Sequence, residues 1–182
     1  SLREAKFSSL RSVAGTWSVA HNSALKSLTG FAALERAWLV SIDDNSALTE
    51  LEWTSTFEVV TSLNIVDNER LERVTGGPAV HLAPTTQVTI AGNSVLEDIV
   101  GFTGVKSLDG LTIEENAALL AVSGWSGLAS ISGRGLSIAR NPTLTGPDGW
   151  FPDLAEASAL ALFGNASLEP MTVDALLAHV AV

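Results

Sequence analysis

Acidic side chains that stand directly before an asparagine are the groups of this sequence best suited to chemistry. They occur at three places: Asp43 and Asp44 before Asn45, Asp67 before Asn68, and Glu114 and Glu115 before Asn116. Paired carboxylates bind calcium, or serve as acid and base in glycoside hydrolysis when they face each other across a cleft. Nothing in the sequence points to a cleft. We expect Asp44 and Asp67 to be two solvated carboxylates, with a calcium site between them as the alternative.

The other residue types that commonly do chemistry form no recognisable constellation. The sequence has no cysteine, no Gly-x-Ser-x-Gly motif, no phosphate-binding loop and no His-Glu-x-x-His motif. Its formal charge of −10 disfavours the phosphates of DNA or RNA as partners. We expect a protein that is not an enzyme, has no catalytic residues and does not bind nucleic acid. We also expect no cofactor, unless calcium occupies the Asp44–Asp67 pair.

Length and composition bound the architecture. The 182 residues suit a single domain over 1–182, and the apolar share of 46% against a charged share of 16% excludes a disordered chain. The longest stretch with no Asp, Glu, Lys, Arg or His, 116–133, is rich in glycine and serine, so the sequence predicts no membrane span.

An internal repeat positions the carboxylates. The phrase apolar-x-apolar-x-x-Asn-x-x-Leu returns every 23 to 25 residues and is looser in its first and last copies. Its asparagines are Asn22, Asn45, Asn68, Asn93, Asn116, Asn141 and Asn165. Short alternating stretches inside each repeat are typical of strands. The sequence therefore predicts an all-β solenoid of about seven three-sided coils, stacked about 4.8 Å apart. His21, His81 and His179 are far apart in such a stack and cannot meet at one metal.

The asparagine column has a structural explanation. A solenoid bend leaves backbone N–H and C=O groups without strand partners, and an amide side chain both donates and accepts. Asparagine also tolerates the left-handed backbone conformation of tight bends. We expect a buried ladder of stacked asparagines rather than a catalytic or ligand-binding column.

The repeat resembles a known family. Leu-x-Ile-x-x-Asn-x-x-Leu followed by Gly-Phe-x-x-Leu-x-x-Val, over about residues 7–168, is similar to the receptor L domain, a relative of leucine-rich repeats. That module forms the ligand-binding lobes of insulin-type receptors, and similar repeats occur in fungal and bacterial surface proteins. The resemblance implies a right-handed single-stranded β-helix, a place at the cell surface or outside the cell, and adhesion or binding without catalysis.

One outward column of the asparagine-side strand is rich in hydroxyls. Up the stack it reads Ser18, Ser41, Asn64, Thr89, Thr112, Ser137 and Ala161. Three interpretations remain open: small residues that suit an exposed strand, a contact face for a protein or glycan, and a flat ladder that binds ice. The charged neighbours Asp43 and Glu114 disfavour the match to an ice lattice.

The tryptophans divide into two groups. Trp17, Trp125 and Trp150 occupy apolar positions of the repeat and are expected in the core. Trp38 and Trp53 break the pattern, Trp53 by replacing the usual glycine, and we expect both to be exposed as part of a partner patch.

The two ends of the repeat array are expected to be covered. Residues 1–16 form a partial repeat in which Ser1 to Lys6 are a short helical lid, residues 17–171 form the repeats, and residues 172–182 form a capping helix. Because a covered edge resists strand pairing, we expect a monomer.

Overall fold

A computed structural model describes residues 3–6, 9–29, 34–53, 56–146, 150–168 and 180–181. Within them the secondary structure consists of strands, with no helix. The strands are β1 (Glu4–Lys6), β2 (Ser12–Ala20), β3 (Ser27–Thr29), β4 (Arg36–Asp43), β5 (Glu50–Trp53), β6 (Phe57–Val66), β7 (Arg73–Gly76), β8 (Val80–Leu82), β9 (Gln87–Ala91), β10 (Asp98–Val100), β11 (Ser107–Glu114), β12 (Ala121–Val122), β13 (Ser130–Ala139), β14 (Glu156–Ala157) and β15 (Leu160–Phe163). The predicted all-β class is confirmed.

Two parallel sheets wind together as a β-solenoid. The smaller sheet has the order β1-β3-β5-β7-β10-β12, and the larger runs β2-β4-β6-β9-β11-β13, with β14 and β15 both pairing β13 and β8 pairing β6. Each strand pairs with the equivalent strand of the next coil, which is the arrangement typical of a solenoid. The prediction of seven coils is wrong by one: the chain makes about six turns, because seven asparagine registers enclose six intervals.

A corner divides the larger sheet, and the number of residues at this corner differs between coils. Register shifts fall between Val13 and Thr16 in β2, between Ala37 and Leu39 in β4, and between Leu108 and Gly110 in β11. The corner of β4 holds Trp38 alone. Because a bulge bends its strand, these strands turn at this point.

The core is a set of apolar columns inside the coil. The leucine three residues after each asparagine is fully buried in every described coil but the last: Leu25, Leu48, Leu71, Leu96, Leu119 and Leu144. Burying one such side chain contributes roughly 1.5–3 kcal/mol. Because each leucine packs on its counterparts above and below, the core is continuous from coil to coil.

A second column is aromatic and corrects the prediction for Trp53. Trp53 is 2% exposed and stacks on Phe57 with 6.5 Å between ring centroids. It lies opposite Gly76 in the register of β5 and β7, and a side chain at Gly76 would collide with the Phe102 ring at 2.6 Å. The missing side chain at Gly76 leaves space for the neighbouring aromatic rings. Trp53 is therefore a core residue and not part of a partner patch, whereas Trp17, Trp125 and Trp150 are buried as predicted.

Both ends differ from their predicted caps. The described part of the predicted helical lid is wrong, because Glu4–Lys6 is strand β1, paired in parallel with β3. Most of the predicted helix over 172–182 lies outside the described residues. At its described end, Ala181 forms a parallel bridge with Glu156 and is extended rather than helical. A strand satisfies the backbone groups of the adjoining rung directly, which a helix across the end does not.

Candidate functional site

The asparagines form one hydrogen-bonded column through the molecule. From Asn22 to Asn141, each backbone N–H and each Nδ2 donates to the Oδ1 of the asparagine one coil later, at 2.9–3.3 Å. Nδ2 also donates to backbone carbonyls, as Asn93 does to Ala91 and Ile65, both at 3.0 Å. Asn45, Asn68, Asn93, Asn116 and Asn141 are fully buried. These side chains are used by the fold and have no surface to offer a ligand.

The residue before each asparagine takes the left-handed conformation. The prediction that asparagine itself does so is wrong, because the positive φ angles belong to His21, Asp44, Asp67, Gly92, Glu115, Arg140 and Gly164, at +50° to +69°. The left-handed turn lies at the residue before the asparagine, so the asparagine itself stays in line with its neighbours in the ladder. The fixed spacing from the asparagine was the main sequence signal, and glycine at 92 and 164 and aspartate at 44 and 67 also suggest the conformation by residue type.

The candidate calcium pair lies in this left-handed column. Asp44 and Asp67 occupy successive coils, as their spacing predicts, but Asp44 Oδ2 is 2.7 Å from Nδ1 of His21 in the preceding coil. Within the described chain no group of three or more histidine, aspartate or glutamate side chains is placed to hold a metal ion. Two exposed carboxylates, one of them already bonded, are fewer oxygen ligands than the six to eight that calcium takes.

The carboxylates of Glu114 and Glu115 belong to a network that the sequence did not reveal. Arg140, one coil later, donates to Glu114 Oε2 and Glu115 Oε1, each at 2.8 Å, and its guanidinium lies 5.3 Å from the Phe163 ring centroid. Ser137 Oγ donates to Glu114 Oε1 at 2.6 Å. The network ties three successive coils together at the surface.

A smaller charge ladder lies on the other sheet. Glu50, Arg73 and Asp98 share one register in β5, β7 and β10, as their spacing predicts. Arg73 Nη2 lies 2.9 Å from Asp98 Oδ2. All three side chains are at least partly exposed, so this pair adds at most about 1 kcal/mol.

The hydroxyl column stands in strict register on the outer face of the larger sheet. Ser18 pairs with Ser41, Ser41 with Asn64, Asn64 with Thr89, Thr89 with Thr112, Thr112 with Ser137, and Ser137 with Ala161. Ser18 is exposed and the other six are partly exposed. No described strand covers this face, which makes it a continuous uncharged stripe across seven rungs.

The hydroxyls of this column are not equally free. Ser41 Oγ donates to Asp43 and Ser137 Oγ donates to Glu114, both carboxylates of the flanking outward column. Asn64 Oδ1 accepts from Ser62 Oγ at 3.0 Å. Ser18, Thr89 and Thr112 make no side-chain hydrogen bond within the described chain. The part of the stripe open to a ligand is therefore its middle, Thr89 and Thr112, together with Ser18 at the front.

Trp38 is exposed, as predicted for a contact residue. Its side chain is 51% exposed because it is the corner residue of β4, opposite the small residues Ala14 and Gly15 of the β2 bulge. It borders a cleft of about 300 Å³ lined also by Ser12, Val13, Ala14 and Arg36. A large aromatic surface thus lies beside backbone and hydrogen-bonding groups, a combination frequent in contact surfaces.

Of the three histidines, two lie in the described part of the chain. His21 and His81 are both exposed, and His179 lies outside the described residues. In the described ranges no helix has the length and apolar character needed to cross a membrane.

When the chain is compared with protein-family models, with curated proteins and with solved structures, nothing matches.

Proposed function

We propose that this protein is a non-enzymatic binding or adhesion module that recognises a protein or a glycan through the outer face of the larger sheet. The observation that carries the proposal is the uncharged stripe of small polar side chains, in register across seven rungs and uncovered by the described chain. A flat array of hydroxyls and amides offers donors and acceptors at fixed spacing. The resemblance of the repeat to the receptor L domain supports a place at the cell surface or outside the cell.

The middle of the stripe is where contact is expected. Thr89 and Thr112 lie opposite each other with free hydroxyls, whereas Ser41 and Ser137 are engaged by carboxylates. Fixed scaffolds with free polar groups lose little conformational entropy on binding. A ligand seated over Thr89 and Thr112 would meet no charge until it reached Glu114, at the edge of the stripe.

The test compares two charge-matched double variants. Thr89→Arg with Thr112→Arg blocks the stripe, and Thr49→Arg with Thr103→Arg places the same charges at exposed positions elsewhere. Fluorescent protein is applied to an array of neutral and acidic glycans and to an array of extracellular proteins. We expect the stripe variant to lose at least tenfold in binding to the spots that the wild type binds, and the control to keep it. Equal binding by both variants, or no bound spot, would overturn the proposal.

The alternative is a structural or ice-binding solenoid that uses the same column. Thr89 and Thr112 favour it, because opposed hydroxyls on neighbouring rungs repeat at the strand spacing of about 4.8 Å. Asp43 and Glu114 count against it, because each accepts a hydrogen bond from a serine of the column. Thermal hysteresis that the stripe variant loses would establish the alternative in place of a binding module.

A further inference from the structure

The bend that follows each asparagine becomes apolar in the middle of the stack. Two of the four exposed large apolar side chains in the described part of the chain lie there, Val95 at 39% and Leu120 at 49% exposure. Ala117 and Pro142 are also exposed on this bend, and Ala118 is partly exposed. These five residues, here called the apolar corner, belong to three successive coils. A patch shared by three coils differs from the single exposed apolar residues that any protein surface carries.

Equivalent residues of successive coils stack at this bend. The backbone N–H of Leu120 donates to the oxygen of Glu97 at 3.0 Å, and the N–H of Glu97 donates to the oxygen of Glu72 at 2.9 Å. Leu120 therefore continues a column that begins with two glutamates. Val95 and Ala118, each two residues after its asparagine, form a second column beside it. Because neighbouring coils are only about 4.8 Å apart, the members of the two columns are close neighbours.

The hydroxyl groups around the apolar corner are turned back to the backbone. Thr143 Oγ1 lies 2.9 Å from the carbonyl oxygen of Ala117 and 3.0 Å from that of Leu119. Ser167 Oγ donates to the carbonyl oxygen of Pro142 at 2.7 Å. The hydroxyls in the middle of the outward column on the larger sheet are free, in contrast. A partner that docks on the apolar corner would therefore bury few polar groups in need of a new hydrogen bond.

Carboxylates border the apolar corner on the side of the earlier coils. Glu72 and Glu97 are exposed, and within the described chain neither has an ion-pair partner. Glu69 and Arg70, both exposed on the bend just before Glu72, are of opposite charge. Three carboxylates and one guanidinium give this border a net charge of −2. Charge complementarity therefore favours a basic partner.

The spacing of the coils suits an α-helix laid along the stack. Coils are about 4.8 Å apart and an α-helix advances about 5.4 Å per turn, so about one helical turn would lie on each coil. The four coils from Glu72 to Pro142 extend over about 14 Å, the length of about ten helical residues. Apolar side chains at every third or fourth residue of such a helix would all face the corner.

We infer that the apolar corner is a docking site for a basic amphipathic helix of a partner protein. The apolar side chains of the helix pack on Val95, Ala118 and Leu120, and lysine or arginine side chains at one end of it reach Glu72 and Glu97. Apolar anchors at every third or fourth residue are a recurring way in which a helix is recognised. The apolar corner shares no residue with the outward hydroxyl column and does not depend on the function proposed for that column.

The charges of this chain disfavour its own segments as occupants. Residues 169–182 contain Glu169 and Asp174 but no lysine or arginine, so they would bring further negative charge to Glu72 and Glu97. A second copy of the chain carries the same formal charge of −10. Like charges placed together at an interface oppose association.

Two synthetic peptides that differ only in charge test this selection. Each has about 15 residues, the length at which an isolated helix begins to form, with leucine at every third or fourth position and either lysine or glutamate at the polar positions. Labelled peptide is titrated with the whole protein and followed by fluorescence anisotropy at low and high salt. We expect the lysine peptide to bind at least tenfold more tightly, with an advantage that shrinks as salt screens the charges. A lysine peptide with a central proline should lose this binding, because proline breaks the helix.

A pair of apolar variants locates the site. Val95→Ser with Leu120→Ser removes the two most exposed anchors and should weaken binding of the lysine peptide at least tenfold. Val60→Ser with Phe163→Ser, the same kind of change at exposed or partly exposed positions elsewhere, should keep the binding. Circular dichroism verifies that each variant is folded.

A pair of charge variants tests the border. Glu72→Lys with Glu97→Lys should reverse the preference, so that the glutamate peptide binds more tightly than the lysine peptide. Glu52→Lys with Glu156→Lys, the same change of charge at exposed positions elsewhere, should keep the preference for lysine.

Each other outcome overturns the inference. Equal binding of the two charged peptides, undiminished binding of the proline peptide, or equal effects of a corner variant and its control would show that the corner does not select a basic helix. Sedimentation of the protein alone supplies the last arm: self-association that Val95→Ser with Leu120→Ser abolishes would make a second copy of this chain the occupant. The array experiment on the hydroxyl column uses other variants and other ligands, so its failure has no bearing on these readouts.

Discussion

Removing one asparagine from the middle of the ladder should destabilise the protein far more than removing the first. Asn93 is fully buried, and its side chain takes part in five hydrogen bonds. In Asn93→Ala, the N–H of Asn68 loses its acceptor, and the carbonyl groups of Ile65 and Ala91 each lose a donor. A buried polar group left without a partner costs about 1–3 kcal/mol, so at the low end of that range the three groups together cost about 3 kcal/mol.

Asn22→Ala is the matched control. Asn22 is partly exposed, and its Nδ2 donates to the backbone oxygen of Ala20 and to Oδ1 of Asn45; within the described chain its own Oδ1 accepts no bond from another asparagine. Water replaces much of what its side chain supplied, and we expect a cost of about 1 kcal/mol or less. The same substitution, Asn to Ala, is therefore worth several times more in the middle of the column than at its front.

The two variants are compared by urea unfolding, followed by circular dichroism. Folded proteins typically have a free energy of unfolding of about 5–15 kcal/mol, so the loss in Asn93→Ala is a large part of the total. At about 2–4 °C per kcal/mol, we expect its melting temperature to be lower by roughly 10 °C. Faster hydrogen exchange at the Asn68 amide gives a local readout of the lost acceptor. If both variants lose the same stability within about 0.5 kcal/mol, the ladder is not what holds the bends, and the reasoning is refuted.

Three further contrasts test the packing. Because φ of residue 67 is +54°, Asp67→Gly should leave the free energy of unfolding unchanged or raise it by up to about 1 kcal/mol, whereas Asp67→Val should lower it by about 1–2 kcal/mol. The opposite order in urea unfolding would contradict the left-handed conformation of this residue. Gly101→Ala should destabilise the protein by more than about 2 kcal/mol, since the added Cβ would lie 2.0 Å from a backbone oxygen and φ is +90°. Gly15→Ala should be neutral, because nothing lies within 4 Å of its added Cβ. Equal melting temperatures would count against the close stacking of neighbouring coils at Gly101. Trp53→Ala should cost about 3–5 kcal/mol and Trp38→Ala less than about 1, and a costly Trp38→Ala would show that its ring is not exposed.

Where an environment repeats, the sequence predicts it well. The asparagine register, the buried leucine three residues later and the outward hydroxyl column all recur with one spacing. Parallel stacking then places equivalent positions next to each other, so the neighbours of Thr89 follow from counting residues. The shared register of Glu50, Arg73 and Asp98 follows from the same counting.

Where a residue departs from the repeat, counting alone misleads. Trp53 replaces a glycine and was expected outside, but the neighbouring Gly76 and Phe102 create the space that buries it. Arg140 precedes an asparagine, like Asp44, yet it joins two glutamates and an aromatic ring from coils on either side. These outcomes depend on the volumes and charges of side chains one coil away, which the repeat pattern does not encode.

The sequence by itself determined that the chain is an all-β solenoid, which repeating positions are inside and which asparagines stack, because a regular period leaves one way to align its apolar and amide columns. Only the tertiary structure decided how the bends turn and how the ends finish. The left-handed residue precedes the asparagine, because the ladder requires the asparagine in line with its neighbours. The first segment is a strand rather than a lid, because pairing with β3 satisfies the backbone at the edge of the smaller sheet.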